Sequence, residues 1–200
     1  TEQHPIIAQR ILEAVEKGAK LLIADPRLLD LSSFATIHVR QRPGTDVALL
    51  NGVMNVIVSE GLFDEDFIRA RTENFESFRK TVEKYDLKRE EEITGVPAEE
   101  IREVARLFAK SRRSTIVYSM GITPHTTGTD NVLSLANLAM VTGNVGREAT
   151  GVNPLRGHQN VQGACDMGAL PDLLPGYQPA SNEQARSNLE RVWRVKLPEE

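Results

Sequence analysis

An arginine and a histidine stand two residues apart in the stretch "NPLRGHQNVQGACDMG", which is rich in glycines and amides and has Asp166 as its one acidic residue. The guanidinium of Arg156 can bind a carboxylate or a phosphate through two parallel hydrogen bonds. His158 can donate a hydrogen bond to the same anion or accept a proton beside it. The pattern predicts an anion-binding loop. The alternatives are a buried arginine that binds loop carbonyls and a histidine that is only packed.

The same stretch holds the single cysteine of the chain, Cys165. A catalytic thiolate paired with His158 or His125 would need an activating environment, and no such motif surrounds this cysteine. One cysteine forms no intrachain disulfide and no cysteine cluster for zinc or iron–sulfur. The remaining histidines, His4 and His38, do not complete a recognised zinc-ligand spacing with the other two. The sequence therefore favours neither a catalytic cysteine nor a zinc site.

Two aspartates, Asp25 and Asp46, each follow a short apolar segment that is typical of a strand. A carboxylate in this position can accept hydrogen bonds from a ribose diol or from the N1–H and amino group of guanine. No G-x-G-x-x-G follows a strand, so an ordinary NAD site is not predicted. Asp46 is also placed to cap the helix that follows it, and the two roles are compatible.

The elements that would position these residues alternate along the chain. Short apolar segments at residues 20–25, 36–41 and 114–120 predict strands, and each ends at a turn with glycine or proline. The segment at 114–120, β-branched and uncharged, is predicted to be the most clearly buried strand. Apolar helices are predicted at about 46–60 and 130–142. This order predicts an α/β fold with a mainly parallel sheet flanked by helices, in which ligands bind beyond the carboxyl ends of the strands.

Composition divides the chain into three parts. Residues 1–142 are predicted to form an α/β domain with a charged helical insertion at about 64–111, in which Ile101, Val104, Ala105 and Phe108 mark one amphipathic face. Residues 143–180 are predicted to form a glycine-rich loop segment, with seven of the fourteen glycines in 143–178. Residues 181–200 form a C-terminal helix or linker. A loop of this length is uncommon without a function, and it would wrap a ligand or a partner segment.

The overall composition is that of a globular protein, with 200 residues, 40% hydrophobic and 26% charged, and a net charge of −4. This balance excludes a general nucleic-acid surface and a polybasic membrane surface. No apolar run approaches the roughly 20 residues of a membrane span. The chain does not begin with Met, so a piece of a longer chain is expected. The sparse cysteine fits a cytoplasmic protein, with the periplasm as the alternative.

Three segments resemble the molybdopterin oxidoreductase family: "DPR", "RPGTDVALLNG" and "MGITPHTTGTDNVLSLANLAMVTGNVGREATGVNPLRGHQNVQGACDMGALPDLLPGYQ". Within that family the sequence is similar to the catalytic subunit of metal-dependent formate dehydrogenases. The resemblance implies a Rossmann-like three-layer domain of an enzyme that oxidises formate to carbon dioxide. It also implies molybdenum or tungsten held by two molybdopterin guanine dinucleotides, with a [4Fe-4S] cluster outside these residues. The implied partners are formate, the remaining domains of the subunit and electron-transfer subunits.

The resemblance implies that residues 1–142 are a cofactor-binding domain and that residues 143–180 are an active-site loop. It also assigns roles to particular residues. It places Arg156 against the formate carboxylate and His158 in the lining of the substrate pocket. The cofactor-binding residues that it implies are Glu2, His4, Asp25, Pro26, Arg27, Gly44, Thr45, Asp46, Met120, Gly121, His125 and Gly157. Many relatives have Gln-His where this chain has Pro124-His125, and the proline removes both a backbone donor and a side-chain amide from that contact. These 200 residues alone are expected to be inactive.

Three other functions stay open at this point. The first is a sister enzyme on the same scaffold, such as a nitrate reductase, although Arg156 together with His158 favours formate. The second is a non-catalytic relative, such as the large iron–sulfur subunit of respiratory complex I, in which the fold serves assembly. The third, independent of the resemblance, is an α/β module that binds a guanine nucleotide.

Overall fold

The structure is a computed structural model that describes residues 3–198, of which about half are helical. In chain order the elements are α1 (Pro5–Glu16), β1 (Leu22–Ala24), a 3-10 turn (Asp30–Phe34), β2 (Ile37–Val39), α2 (Asp46–Ser59), α3 (Glu65–Arg71), α4 (Phe75–Val82), α5 (Leu87–Thr94), α6 (Ala98–Lys110), β3 (Thr115–Tyr118), α7 (Gly128–Val141), β4 (Gly151–Pro154), α8 (Val161–Asp166), β5 (Leu173–Leu174), β6 (Gln178–Pro179) and α9 (Glu183–Trp193). Among residues 3–198, no helix is long and apolar enough to cross a membrane.

Helix α2 lies at the centre of the hydrophobic core and contacts α4, α5, α6 and α7. Its side chains are apolar on most faces, and Met54 and Ile57 are completely buried. Such a helix is stable only when neighbours cover it on several sides. The charged segment supplies one of these neighbours, because α6 buries Ile101, Ala105 and Phe108 against α2 and turns its carboxylates and cations outward. The buried helix and the amphipathic face predicted from the sequence are therefore confirmed.

The strands form three separate two-stranded sheets. Strands β1 and β2 are parallel, with Leu22 opposite Ile37, and β3 and β4 are parallel, with Thr115 opposite Gly151. Strands β5 and β6 are antiparallel. One mainly parallel sheet is not confirmed, because the strands have two to four residues and no ladder joins the pairs within residues 3–198. The coarser prediction, a mixed helix and strand fold, is correct.

The segment predicted to be the most buried strand is only half buried. In β3, Ile116 packs against the helical core, whereas Thr115 and Val117 are exposed. A run of β-branched residues predicts a strand but does not say how many of its faces are covered. The prediction of a buried strand was therefore wrong, because the helical core covers only one face of β3.

The chain divides into two compact units, Thr1–Leu155 and Arg156–Glu200. The first contains α1–α7 and β1–β4, and the second contains α8, β5, β6 and α9. Residues 143–178, which lack a clear period in the sequence, contain short elements in both units. The division at residues 142 and 180, which was based on composition, stays a prediction.

Candidate functional site

The turn that follows β1 is built around the carboxylate of Asp25. Its Oδ1 accepts hydrogen bonds from the backbone N–H of Arg27 at 2.8 Å and from Arg27 Nε at 3.4 Å. The carbonyl oxygen of Asp25 accepts from His38 Nε2 at 3.0 Å, which requires the Nε2–H tautomer. The carbonyl oxygen of Pro26 accepts from Arg40 Nε at 2.9 Å. Side chains of β2 and its extension thus hold the turn in one conformation.

The turn that follows β2 leads directly into α2. Gly44 has φ +83, a left-handed conformation that favours glycine. The N–H and Oγ1 of Thr45 both donate to the carbonyl oxygen of Arg42, at 3.2 Å and 2.7 Å. Asp46 lies inside the helix as its first residue, so the predicted capping role was wrong. Its buried carboxylate instead accepts a hydrogen bond from Gln41 Nε2 at 3.0 Å.

The turn that follows β3 has its carbonyls bound by two side chains. His125 Nε2 donates to the carbonyl oxygen of Gly121 at 3.0 Å, again as the Nε2–H tautomer. The amide of Asn131, on α7, donates to the carbonyl oxygen of Ile122 at 2.8 Å. Met120 lies at the start of this turn with 69% of its surface exposed. The turn therefore presents a methionine to solvent while its backbone is fixed from within.

The N-terminal positions of the predicted site are described in part. Glu2 lies outside the described residues. His4 is half buried and precedes α1, and its carbonyl oxygen accepts from the N–H of Ala8 at 3.0 Å. Its imidazole makes no capping hydrogen bond to the helix. The cofactor contact of His4 stays a prediction.

Arg156, Gly157 and His158 lie at the start of the second unit and are exposed. Within residues 3–198, the side chains of Arg156 and His158 form no hydrogen bond and no ion pair. The alternative in which Arg156 binds loop carbonyls is therefore wrong. An exposed guanidinium with all its donors available can bind an anion without first breaking an existing interaction.

Cys165 is a half-buried residue of α8. The helix is held by side chains of its own unit, since Gln162 Nε2 donates to Asp166 Oδ1 at 3.1 Å and to the hydroxyl of Tyr177 at 2.9 Å. No hydrogen bond links Cys165 to His158 in the part of the chain that the structure describes. In that same part, no three His, Cys, Asp or Glu side chains are grouped to hold a metal ion.

The turn after β1, with Asp25, and the turn after β2, with Asp46, are called the acidic turns below. Both have carboxylate oxygens that are still able to accept hydrogen bonds. In residues 3–198, the bonds to the carboxylates of Asp25 and Asp46 all end on Oδ1, which leaves Oδ2 of each as an acceptor. Among the residues that the structure describes, Gln41 Oε1 beside the Asp46 turn is also buried without a partner, and so is Asn131 Oδ1 beside the turn after β3. A carboxylate with one oxygen fixed by the protein can accept N–H donors of a ligand in a defined direction.

Three residues of these turns were missed in the sequence: Gln41, Arg42 and Asn131. A usable signal existed for Gln41. It stands two residues after Val39 in an extended segment, so both side chains point to the same face, and both are buried, at 4% and 1% exposure. The role of Arg42 depends on α5, about fifty residues later, and the role of Asn131 depends on the turn that precedes its own helix. No local pattern indicates either.

The fold class is mixed helix and strand, with two parallel strand pairs. Asp25 lies in the turn after β1, and Asp46 ends the turn after β2. Residues 1–199 match the family model described as "Molybdopterin oxidoreductase", and the chain belongs to that family. Membership in this family implies a molybdopterin cofactor that carries molybdenum or tungsten.

Curated relatives are similar over nearly the whole chain. The alpha subunit of F420-dependent formate dehydrogenase from Methanocaldococcus jannaschii is 48% identical over 98% of this chain and 29% of that protein. F420-dependent formate dehydrogenase 2 subunit alpha from Methanococcus maripaludis is 47% identical over 97% of this chain and 28% of that protein. Formate dehydrogenase H from Escherichia coli is 45% identical over 97% of this chain and 27% of that protein. The chain thus spans less than a third of these relatives.

A solved structure is similar as well. Acetylene hydratase from Pelobacter acetylenicus has a TM-score of 0.67 and 31% sequence identity, over 68% of this chain and 19% of that protein. The relative is a hydratase by name, whereas the sequence relatives are dehydrogenases. One fold therefore carries different reactions, and the reaction must be argued from particular residues.

Proposed function

We propose that these 200 residues are part of the catalytic subunit of a formate dehydrogenase. The observation that carries this proposal is the 45–49% identity to formate dehydrogenase alpha subunits and formate dehydrogenase H over 92–98% of the chain. The whole enzyme oxidises formate to carbon dioxide and passes two electrons to an acceptor. Its further partners are the remaining domains of the subunit and electron-transfer subunits. Its compartment is the cytoplasm.

The proposed form of the cofactor is a bis(molybdopterin guanine dinucleotide) with molybdenum or tungsten. A [4Fe-4S] cluster is held by residues outside this segment. The donor and acceptor set of the acidic turns fits a guanosine end, because Asp25 and Asp46 each offer one carboxylate oxygen to N–H groups. Gly44 and Thr45 complete the turn beside Asp46, and Pro26 and Arg27 complete the one beside Asp25. The residues present therefore support the dinucleotide.

Two further groups of residues belong to the same proposal. Met120, Gly121 and His125 line the pterin or pyrophosphate part of the cofactor, and Gly157 lets the backbone approach it beside Arg156. His4 also contacts the cofactor, as does Glu2, which lies outside the described residues. The binding contribution of His125 is indirect, since its ring donates to the carbonyl oxygen of Gly121 and thereby shapes the turn.

Arg156 binds the carboxylate of formate through its two-pronged guanidinium. The planar fork fixes the orientation of the anion, and such orientation is worth several kcal/mol in catalysis. His158 lines the same pocket and donates a hydrogen bond or takes up a proton there. When bound, the metal cofactor supplies the two-electron oxidation, for which a side chain has no equivalent. The availability of Arg156, which is exposed and has no hydrogen-bond or ion-pair partner among residues 3–198, supports this role.

The test is a change of Arg156→Lys in the full-length enzyme, because lysine keeps the charge and loses the fork. We expect kcat/KM for formate to fall at least about 100-fold, equivalent to about 2.7 kcal/mol. The measurement is formate-dependent reduction of a viologen dye. The matched control is Arg191→Lys, an exposed arginine on α9 of the same unit, which we expect to leave kcat/KM within about twofold.

Formate oxidation, nitrate reduction and metal content, measured on the full-length protein, separate the rival functions. Near-normal formate kinetics in Arg156→Lys would end the orienting role of Arg156. A full-length parent enzyme that reduces nitrate and does not oxidise formate would reject formate as the substrate. A full-length parent that has neither activity and contains no molybdenum or tungsten would support the non-catalytic alternative.

A further inference from the structure

The C-terminus of α5 is completed by a residue from another part of the chain. The last four carbonyl groups of an α-helix have no partner within the helix. Arg42 supplies partners for three of them in α5. Its Nη1 donates to the carbonyl oxygens of Glu92 at 2.6 Å and Ile93 at 3.3 Å. Its backbone N–H donates to the carbonyl oxygen of Thr94 at 2.8 Å.

The residue that follows α5 fits closely against the same arginine. Gly95 has φ +73, and its N–H donates to the carbonyl oxygen of Glu91 at 2.9 Å, which completes the helix end. A Cβ at this position would lie 3.3 Å from Nε of Arg42. The positive guanidinium also lies at the negative end of the helix dipole, where a cation is stabilising. Hydrogen bonds, charge and shape thus all hold Arg42 at this position.

On its other side, Arg42 begins the turn that leads into α2. Its carbonyl oxygen accepts both hydrogen bonds of Thr45, and Gly44 allows the chain to reverse direction between them. Gln41, the preceding residue, donates to the carboxylate of Asp46. The turn of Gly44, Thr45 and Asp46 is therefore connected to α5 through one residue.

Helix α5 is itself fixed on α2. Glu90 is 1% exposed and packs against Gly52, where an added Cβ would lie 3.3 Å from Cγ of Glu90. Leu87 and Thr94 are buried on the same helix. Because α5 cannot shift freely along α2, the position of its C-terminus is determined by the core. Arg42 transmits that position to the turn.

We propose that Arg42 is a positioning residue that holds the turn of Gly44, Thr45 and Asp46 at the C-terminus of α5. By this contact the charged helical segment sets the direction in which the Asp46 carboxylate meets a guanine base. The inference rests on the proposed function, in which this turn receives a guanosine end of the cofactor. It assigns to the charged helices a role in ligand binding although none of their side chains needs to touch the ligand.

The experiment measures guanine nucleotide retained by the purified full-length protein, as GMP released per polypeptide after acid hydrolysis. In Arg42→Ala we expect a loss of twofold or more relative to the parent. In Arg42→Lys the loss is smaller, because an ammonium can still reach one of the helix carbonyls. In Gly95→Ala we also expect a loss of retained GMP, because the added methyl group would lie against the guanidinium of Arg42 and displace it.

The matched control is Arg106→Ala. Arg106 forms a two-pronged ion pair with Glu60, 2.9 Å for each prong, just beyond the other end of α2. We expect this variant to unfold at lower temperature than the parent and to retain GMP. Equal loss of GMP in Arg42→Ala and Arg106→Ala would show general destabilisation and would overturn the positioning role.

The remaining outcomes separate the inference from its premise. A parent protein that releases no GMP would reject the guanine site and with it the proposed cofactor. A parent that releases GMP, with undiminished GMP in folded Arg42→Ala, would reject the positioning role alone. If Arg42→Ala does not fold, Arg42→Lys and Gly95→Ala decide, and parental GMP content in both would overturn the proposal.

Discussion

The acidic turns of the first unit and the Arg156 segment of the second differ in how their polar groups are used. In the turns, side chains such as Gln41, Arg42 and Asn131 bind backbone and carboxylate groups within the protein. Arg156 and His158 have no such partners within residues 3–198. The turns are preorganised surfaces that keep a few acceptors available, whereas the Arg156 segment keeps its whole donor set available. Preorganisation lowers the entropy cost of binding a large ligand, and an available guanidinium suits a small anion.

The largest predicted effect is that truncation of a side chain to alanine acts oppositely in the two regions. It lowers activity in the Arg156 segment and lowers stability in the acidic turns. Arg156→Ala should lower kcat/KM for formate in the full-length enzyme by about 1,000-fold or more, because both charge and fork are lost. It should change the free energy of unfolding by less than about 0.5 kcal/mol, since the side chain is exposed and unpaired. Gln41→Ala should instead destabilise the fold by about 1–3 kcal/mol, because it leaves the buried Asp46 carboxylate without its hydrogen bond.

Steady-state kinetics and urea unfolding of the same two preparations test this pair. The comparison would break if Arg156→Ala were the less stable variant, because the arginine would then have structural partners. It would also break if Gln41→Ala unfolded like the parent, because the buried hydrogen bond would then contribute nothing to the turn.

A second prediction concerns the turn after β3, where two glycines differ in their surroundings. A Cβ on Gly128 would lie 2.0 Å from the carbonyl oxygen of Thr123, whereas a Cβ on Gly121 would have nothing within 4 Å. Gly128→Ala should therefore destabilise the protein by about 1–3 kcal/mol, because backbone atoms must move apart. Gly121→Ala should leave the thermal midpoint nearly unchanged. Differential scanning calorimetry that gives equal midpoints for both variants would contradict the close approach.

The smallest predicted effect is the pH dependence associated with Glu90. Burial raises the pKa of the Glu90 carboxyl, and Asp86 adds to the rise while Arg89 opposes it. The folded protein thus keeps this proton to higher pH than the unfolded chain. Its stability should decline as the pH rises from the ordinary glutamate range through the raised pKa. Glu90→Gln removes that decline, so its free energy of unfolding relative to that of the parent should increase from pH 5 to pH 8.

Urea unfolding of the parent and of Glu90→Gln at pH 5 and pH 8 measures this difference. Lys88→Gln, an exposed position on the same helix, is the control and should show a constant difference between the two pH values. Parallel pH curves for the parent and Glu90→Gln would show that the carboxyl is ionised without cost in the folded state.

Much of the fold could be predicted because its signals are local. The apolar helices α2 and α7, the short strands β1 and β2, and the turns at Asp25 and Gly44 all follow from periodicity and turn residues. The pairing of strands did not follow, because a run of apolar residues carries no information on which edge it meets. The half-buried state of β3 could not be seen for the same reason.

In the candidate site, too, some residues have local sequence signals and others depend on packing. Arg156, Asp25 and Asp46 are recognisable because their residue types are unusual for their local context. The contact between Arg42 and the end of α5 joins residues about fifty positions apart, and the sequence around Arg42 gives no sign of it. Such a contact forms only when helices pack together, so only the tertiary structure reveals it.

By itself, the sequence determined the family, the apolar helices α2 and α7, the strands β1–β3, and which arginine is the candidate for binding an anion. These depend on residue types and local order, which survive without knowledge of packing. Only the tertiary structure decided that Asp46 is held by Gln41 instead of capping its helix, and that Arg42 connects the turn to α5. Those outcomes depend on which groups meet in space, because a hydrogen bond is decided by distance and direction between atoms and not by separation along the chain.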